Sequence, residues 1–299
     1  MAPTPYRRRA GFAATLLLRA LTVLAPLALV VLVSHNWVDV PYMDDWALSD
    51  TISRYHEGTL QLKYLVAQHN ESRKLFPRLI TVGLSLLSKW DMRWQMCVSL
   101  ILAALTFWGL WLLLRRSISE RSLRRQVLLL LMSLLMFSPV QWENWLWGIQ
   151  MVAFIPPLML VAGLVVNTSR LPLWAQSILN SVLAFIATYS FANGMILWLL
   201  IAPPAFLALV TPRATRDART LAALVWYTLA AAVSIGFYFH HYHTPAGKPP
   251  LSCALNDPSA AAAYYLSWLG NPLVPRGSAL PSAMRQVAGG LLLAIWLTG

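Results

Sequence analysis

Charge is what this sequence has least of. Only 11% of its 299 residues are Asp, Glu, Lys or Arg, against about 25% in a typical soluble domain. That deficit argues against an ordinary soluble enzyme. Acidic residues are scarcest, eleven against 23 Lys and Arg. Cysteine is nearly absent too. Cys97 falls inside an apolar run and Cys253 in a connection. No disulfide between them is expected, and no zinc-ligand spacing exists. The apolar runs do not alternate with polar residues, which argues against an outer-membrane barrel. Internal repeats and low-complexity tracts are also missing.

What remains is largely hydrocarbon: 58% of residues are hydrophobic and the mean hydropathy is +0.58. A helix needs roughly 20 apolar residues to cross ~30 Å of bilayer core, and several runs have that length. The expected fold is all-α, a polytopic transmembrane helical bundle of about eight spans forming a single transmembrane domain over 1–299. The spans read as 11–34, 94–114, 126–141, 148–166, 173–189, 194–211, 220–239 and 283–299. The first run follows Arg7-Arg8-Arg9 and lacks a small-residue cleavage site, so it reads as a retained span. Of fourteen Trp, several cluster at predicted boundaries (Trp37, Trp46, Trp90, Trp94, Trp142, Trp145, Trp147), as in an interfacial aromatic belt.

The net charge of +12 points to topology, with no nucleic-acid partner expected. Arg115, Arg116, Arg121, Arg124 and Arg125 fill one join; Arg213, Arg216 and Arg219 fill another; Arg170 marks a third. With the amino terminus cytoplasmic, every basic join faces the cytoplasm. Parity then settles two short stretches. Leu75 to Ser88 is too short to cross and reads as an interfacial or re-entrant helix. Asn193-Gly194 reads as a tight turn splitting Leu171 to Val210 into a hairpin. The chain is expected to be a multi-pass membrane protein with its amino terminus cytoplasmic, in contact with the lipid bilayer.

The first external loop, 35–93, breaks the charge rule. It holds seven of the eleven acids, together with Arg54, Lys63, Arg73, Lys74, Arg78, Lys89 and Arg93. Cations on a translocated loop need a reason, either pairing with the acids or holding an anionic ligand. Asp44 and Asp45 stand at the membrane surface ten residues after the first span. A carboxylate there suits a general base or a cation ligand, and it equally suits the cap of a helix starting near Ala47. In Gln68-His69-Asn70-Glu71-Ser72-Arg73-Lys74-Leu75-Phe76-Pro77-Arg78, His69 and Arg73 are four apart, as are Asn70 and Lys74. On a helix those pairs share adjoining faces. Arg73, Lys74 and Arg78 together suit a phosphate. Glu143 is the one charge in a second polar-aromatic external loop, Gln141 to Gln150, where Trp faces suit a sugar. The cluster His240-His241-Tyr242-His243 has no recognised metal spacing, and no metal ligands are assigned.

The order of these motifs resembles the GT-C class of membrane glycosyltransferases. The likeness is to bacterial relatives of the aminoarabinose and mannosyl transferases. It rests on a first span, the acidic motif Tyr42-Met43-Asp44-Asp45-Trp46, and the run from Gln68 through Phe76-Pro77-Arg78-Leu79. The resemblance implies transfer of a sugar from a polyprenyl-phosphate donor to a cell-envelope glycan or lipid acceptor. It implies Asp44 or Asp45 as catalytic carboxylate. It implies that Arg73, Lys74 or Arg78 offsets the charge of the leaving phosphate and that His69 and Glu71 position substrate groups or help hold a divalent ion. Asn70 and Glu143 are candidate substrate-binding residues from their places in the two polar loops. Some members of the class use a divalent cation and others do not, so the cofactor stays open. Members usually continue into further spans, whereas the eighth span here runs to Gly299. Two other functions fit the same composition: a transporter or flippase for lipid-linked sugars, and a non-catalytic membrane subunit. A transporter predicts ionisable residues inside the spans, and here the span interiors carry almost none.

Overall fold

The computed structural model describes residues 5–119, 122–204, 206, 218–247, 252–271, 273–274 and 281–298. These residues are mostly helical, as expected, with almost no strand. The chain divides into two units, Met1–Tyr242 and His243–Gly299.

In the first unit, α1 spans Pro5–Asn36, followed by a 3-10 turn at Met43–Leu48, α2 at Ser49–His56 and α3 at Leu62–Leu65. A two-residue hairpin pairs β1, Gln68–His69, with β2, Ser72–Arg73. Then come α4 at Leu75–Ser88, α5 at Met92–Ser117, α6 at Leu123–Met136 and α7 at Trp142–Leu146. The unit continues with α8 at Met151–Asn167, α9 at Leu173–Thr188, α10 at Leu197–Leu200 and α11 at Ala218–Phe239. The long helices stand in a row, each packed on the next: α1, α6, α5, α8, α9, α11. Small polar side chains tie the row together, such as Ser133, whose Oγ donates to the Thr22 carbonyl at 2.7 Å. Leucine and aromatic side chains cover the outside, including Leu135, Leu199 and Phe237. That pattern inverts a water-soluble protein and suits lipid.

Five helical stretches are long and apolar enough to cross a membrane: Ala13–Asn36, Met92–Ser117, Leu123–Leu146, Gly148–Asn167 and Ala218–Phe239. The chain is therefore a membrane protein. Three of the expected spans come out differently. The stretch 173–189 is a helix of only 16 residues, Leu173–Thr188. The stretch 194–211 begins as a 3-10 turn and a single helical turn, then breaks at Ile201, before Pro203-Pro204. Proline removes an N–H donor and disfavours helix in the residue before it. Two asparagines satisfy the carbonyls freed there. The Asn180 amide donates to the Ile201 carbonyl at 2.8 Å. The Asn167 amide donates to Ile201 and Ala202, both at 3.2 Å. The remainder of that stretch, with Arg213 and Arg216, lies outside the described residues, as does Arg121.

In the second unit, α12 spans Cys253–Asn256, α13 Pro258–Gly270 and α14 Ser282–Thr298. Asp257 caps α13, its carboxylate accepting the Ala260 N–H at 2.9 Å. The helix α14 falls where the stretch 283–299 was expected but has 17 residues, fewer than the roughly 20 of a full crossing. It packs tightly on α13 through Gly270 and Gly289. A Cβ on either would sit 1.9 Å from a carbonyl oxygen of the facing helix, so only glycine fits.

Candidate functional site

The first loop opens with a strained backbone. Met43 is held at φ 45°, in the left-handed region, which costs a non-glycine residue roughly 1 kcal/mol or more. That turn directs Asp44 and Asp45 to different places. Asp45 is 1% exposed. Its Oδ2 accepts the Tyr42 N–H at 3.0 Å and its Oδ1 the Ile149 N–H at 2.8 Å. It therefore closes its own 3-10 turn and fastens it to the connection ahead of α8. Burial pushes its pKa up, and the two N–H donors oppose that rise. Asp44 has no such anchoring. Its side chain is 40% exposed, and Oδ2 lies 3.1 Å from His69 Nε2.

His69 reaches Asp44 because Gln68 to Arg73 is a hairpin, which corrects the helical spacing expected there. Asn70 takes φ 51° at the turn, a conformation asparagine tolerates better than most residues. Asn70 itself is exposed at the tip. Glu71 follows it in the turn, and its carbonyl accepts a hydrogen bond from the Tyr238 hydroxyl.

The three cations that follow have separate fates. Arg73 donates Nε to the Tyr238 carbonyl at 2.7 Å, Nη1 to Val66 at 3.0 Å and Nη2 to His240 at 2.5 Å. Arg78 donates Nη1 to the carbonyls of Leu65 and Ala67, at 2.8 and 2.6 Å. Both guanidinium groups thus hold backbone together. Lys74 differs. It is 7% exposed, yet its ammonium makes no hydrogen bond or ion pair with a described residue. Burial, foremost, pulls its pKa down to about 8; Asp44 and Asp45 oppose the fall, and Arg78 adds to it. Burial also lowers the pKa of His69, with Lys74 adding to the effect and Asp44 opposing it. Lys74 is in addition the N-cap residue of α4, where the helix dipole reinforces its positive potential. Other cations of the loop have ordinary partners: Arg54 pairs with Asp50 at 2.8 Å and Arg93 with Asp91 at 2.7 Å.

Four connections meet around this hairpin. Trp147 Nε1 donates to the Tyr42 carbonyl at 3.0 Å, and the two rings meet edge-on. Ala192 N–H donates to Ser72 Oγ at 3.1 Å, and Phe76 N–H to the Tyr189 carbonyl at 3.2 Å. The end of α11 supplies the carbonyls that Arg73 holds. The loop 35–93, the connection around α7, the turn after α9 and the end of α11 therefore share one end of the bundle. Glu143 lies on α7, exposed and in none of the described ion pairs.

The sequence reading missed Tyr238, which grips the hairpin through both its hydroxyl and its carbonyl. Its only signal was a tyrosine at the end of a span beside the histidine cluster. A divalent cation does not fit the present arrangement. Among the described residues no three His, Cys, Asp or Glu side chains converge as ligands, both Asp45 oxygens are taken by N–H donors, and a buried ammonium lies nearby. Comparison with known families, curated proteins and solved structures finds no match.

Proposed function

We propose that this chain is an inverting membrane glycosyltransferase using a polyprenyl-phosphate sugar at the outer face of a bacterial inner membrane. The observation that carries the reading is the meeting of three groups: an accessible carboxylate, Asp44; an imidazole bonded to it, His69; and a buried ammonium without a hydrogen bond, Lys74. The motif order that resembles the GT-C class supports it from the sequence.

In this mechanism the acceptor hydroxyl oxygen attacks the anomeric carbon of the sugar. Asp44 takes the hydroxyl proton, the bond from that carbon to the phosphate oxygen breaks, and the configuration inverts. His69, with its proton on Nε2, donates to Asp44 and fixes its direction. The departing polyprenyl phosphate gains negative charge, which Lys74 and the start of α4 stabilise. Arg73 and Arg78 shape the cradle through their carbonyl contacts, Asn70 and Glu143 meet the sugar or the acceptor, and Glu71 stands beside Asn70 in the hairpin turn. The donor's hydrocarbon tail accounts for an enzyme built in lipid.

The test is transfer of labelled sugar from lipid-linked donors to endogenous glycan in membranes, at matched expression. Asp44→Asn is expected to lower transfer by about a hundredfold or more, the range for loss of a general base, while donor still binds. Transfer by Asp44→Asn at the wild-type rate would remove the proposal. One observation favours transport instead. The broken helix at Ile201 exposes carbonyls inside the bundle, as substrate-binding helices of transporters do. Here two asparagines already occupy those carbonyls. Movement of a lipid-linked sugar across vesicles, unchanged by Asp44→Asn, would favour that second reading.

A further inference from the structure

At the arginine-rich end of the first unit, α1 and α5 both pack on α6 and enclose a partly open cavity of about 580 Å³. Its walls are mostly apolar and aromatic, with Phe107, Trp108 and Trp111 from α5. Arg19, Thr22, Arg125 and Gln126 supply its polar groups. A second cavity of about 440 Å³ adjoins it, lined by Arg115, Arg116 and again Arg125. Among the described residues, no carboxylate lines either one.

Arg19 is the informative residue. It lies six residues inside the apolar stretch that starts at Ala13, about 9 Å along the helix. An arginine at that depth normally swings its head toward water. Here the Gln126 side-chain oxygen accepts from Arg19 Nε at 3.3 Å, which holds the guanidinium against the cavity wall. Neither of its Nη groups has an acceptor among the described residues. An exposed cation tethered through Nε at the edge of an aromatic-lined groove matches a molecule with a negative head and hydrocarbon chains. Basic pockets between transmembrane helices bind anionic lipid headgroups for this reason.

We propose that this cavity binds one anionic phospholipid of the bilayer, with its phosphate beside Arg19 and its chains along Phe107, Trp108 and Trp111. The site lies at the far end of α5 from Asp44 and is independent of the transferase reading. Occupied, it fills the gap between α1 and α5 and fixes the helix that leads into the first loop.

The experiment is native mass spectrometry of the full chain released from detergent, titrated with phosphatidylglycerol or phosphatidylcholine. Wild type is expected to retain one phosphatidylglycerol under conditions that strip phosphatidylcholine. Arg19→Gln should weaken that retention about fivefold to tenfold, the worth of one basic group at a headgroup, and Arg19→Lys should keep most of it. Arg93→Gln, at the other end of α5, should change nothing. Equal retention of the two lipids overturns the proposal. So does wild-type retention by a folded R19Q, or displacement of the lipid by millimolar inorganic phosphate, which would mark a site for the free ion. If R19Q does not fold, the comparison of lipids on wild type decides alone.

Discussion

Two adjacent aspartates of the same chemistry sit in opposite environments. Asp44 is 40% exposed and, among the described residues, hydrogen-bonds His69 alone, so Asp44→Asn should leave thermal stability within about 0.5 kcal/mol of wild type, as surface changes do. Asp45→Asn puts an NH2 group where an N–H needs an acceptor, and should cost ~1–3 kcal/mol. Thermal unfolding in detergent separates the two, and equal losses would contradict the division of roles. Lys74 gives a pH signature. Its folded-state pKa of about 8 lies below the usual 10.5, so the folded protein releases this proton more readily than the unfolded chain. Its contribution to stability therefore improves between about pH 8 and 10.5, while affinity for an anionic donor falls across the same range. Donor binding measured from pH 7 to 10 should decline through about 8. Lys74→Arg, which stays charged, should flatten that decline if the protein folds. A profile unchanged by the substitution would mean that Lys74 does not meet the donor.

The elements most legible in the sequence were the long ones. Continuous apolar runs between arginine clusters placed α1, α5, α8 and α11 within a few residues, because lipid enforces helix wherever such a run is long enough. The hairpin at 68–73 was not legible. Strands of two residues have no periodicity, and the four-residue spacing of His69 and Arg73 imitates a helix face by coincidence. The break at Ile201 had a signal in Pro203-Pro204, but apolar character on both sides masked it. Nor could composition rank Arg73, Lys74 and Arg78 against one another. The wide donor fork of arginine lets it hold carbonyls, and only packing shows that two of the three do so. Arg73→Gln should release the hairpin from α11 and cost ~3 kcal/mol, from the loss of charged hydrogen bonds. Hydrogen exchange should rise at Gln68 to Arg73 and at the end of α11 together. A rise confined to one of them would mean that Arg73 does not couple them.

For the whole molecule, the meeting of four connections at one end ties topology to the site. The proposed orientation puts that end outside the cell and the 115–125 join inside. In a background carrying Cys97→Ser and Cys253→Ser, Val140→Cys should react with a membrane-impermeant thiol reagent on intact cells. Ser119→Cys should react only after the membrane is opened. The reverse pattern would invert the topology and move the proposed chemistry to the cytoplasm.

The partners of the hairpin come late in the chain. Arg73 and the Tyr238 carbonyl are 165 residues apart, and Ser72 and Ala192 are 120 apart. At ~5–20 residues per second of ribosomal synthesis, the first loop waits roughly ten to thirty seconds after its own translation before α11 exists to hold it. During that interval the loop is fastened first by Asp39 on the Met92 N–H and then, once Ile149 has emerged, by Asp45. Completion of the site is thus timed by the emergence of α11, and a nascent chain stalled before residue 218 would carry every residue of the first loop with Arg73 still lacking its carbonyl partners on that helix.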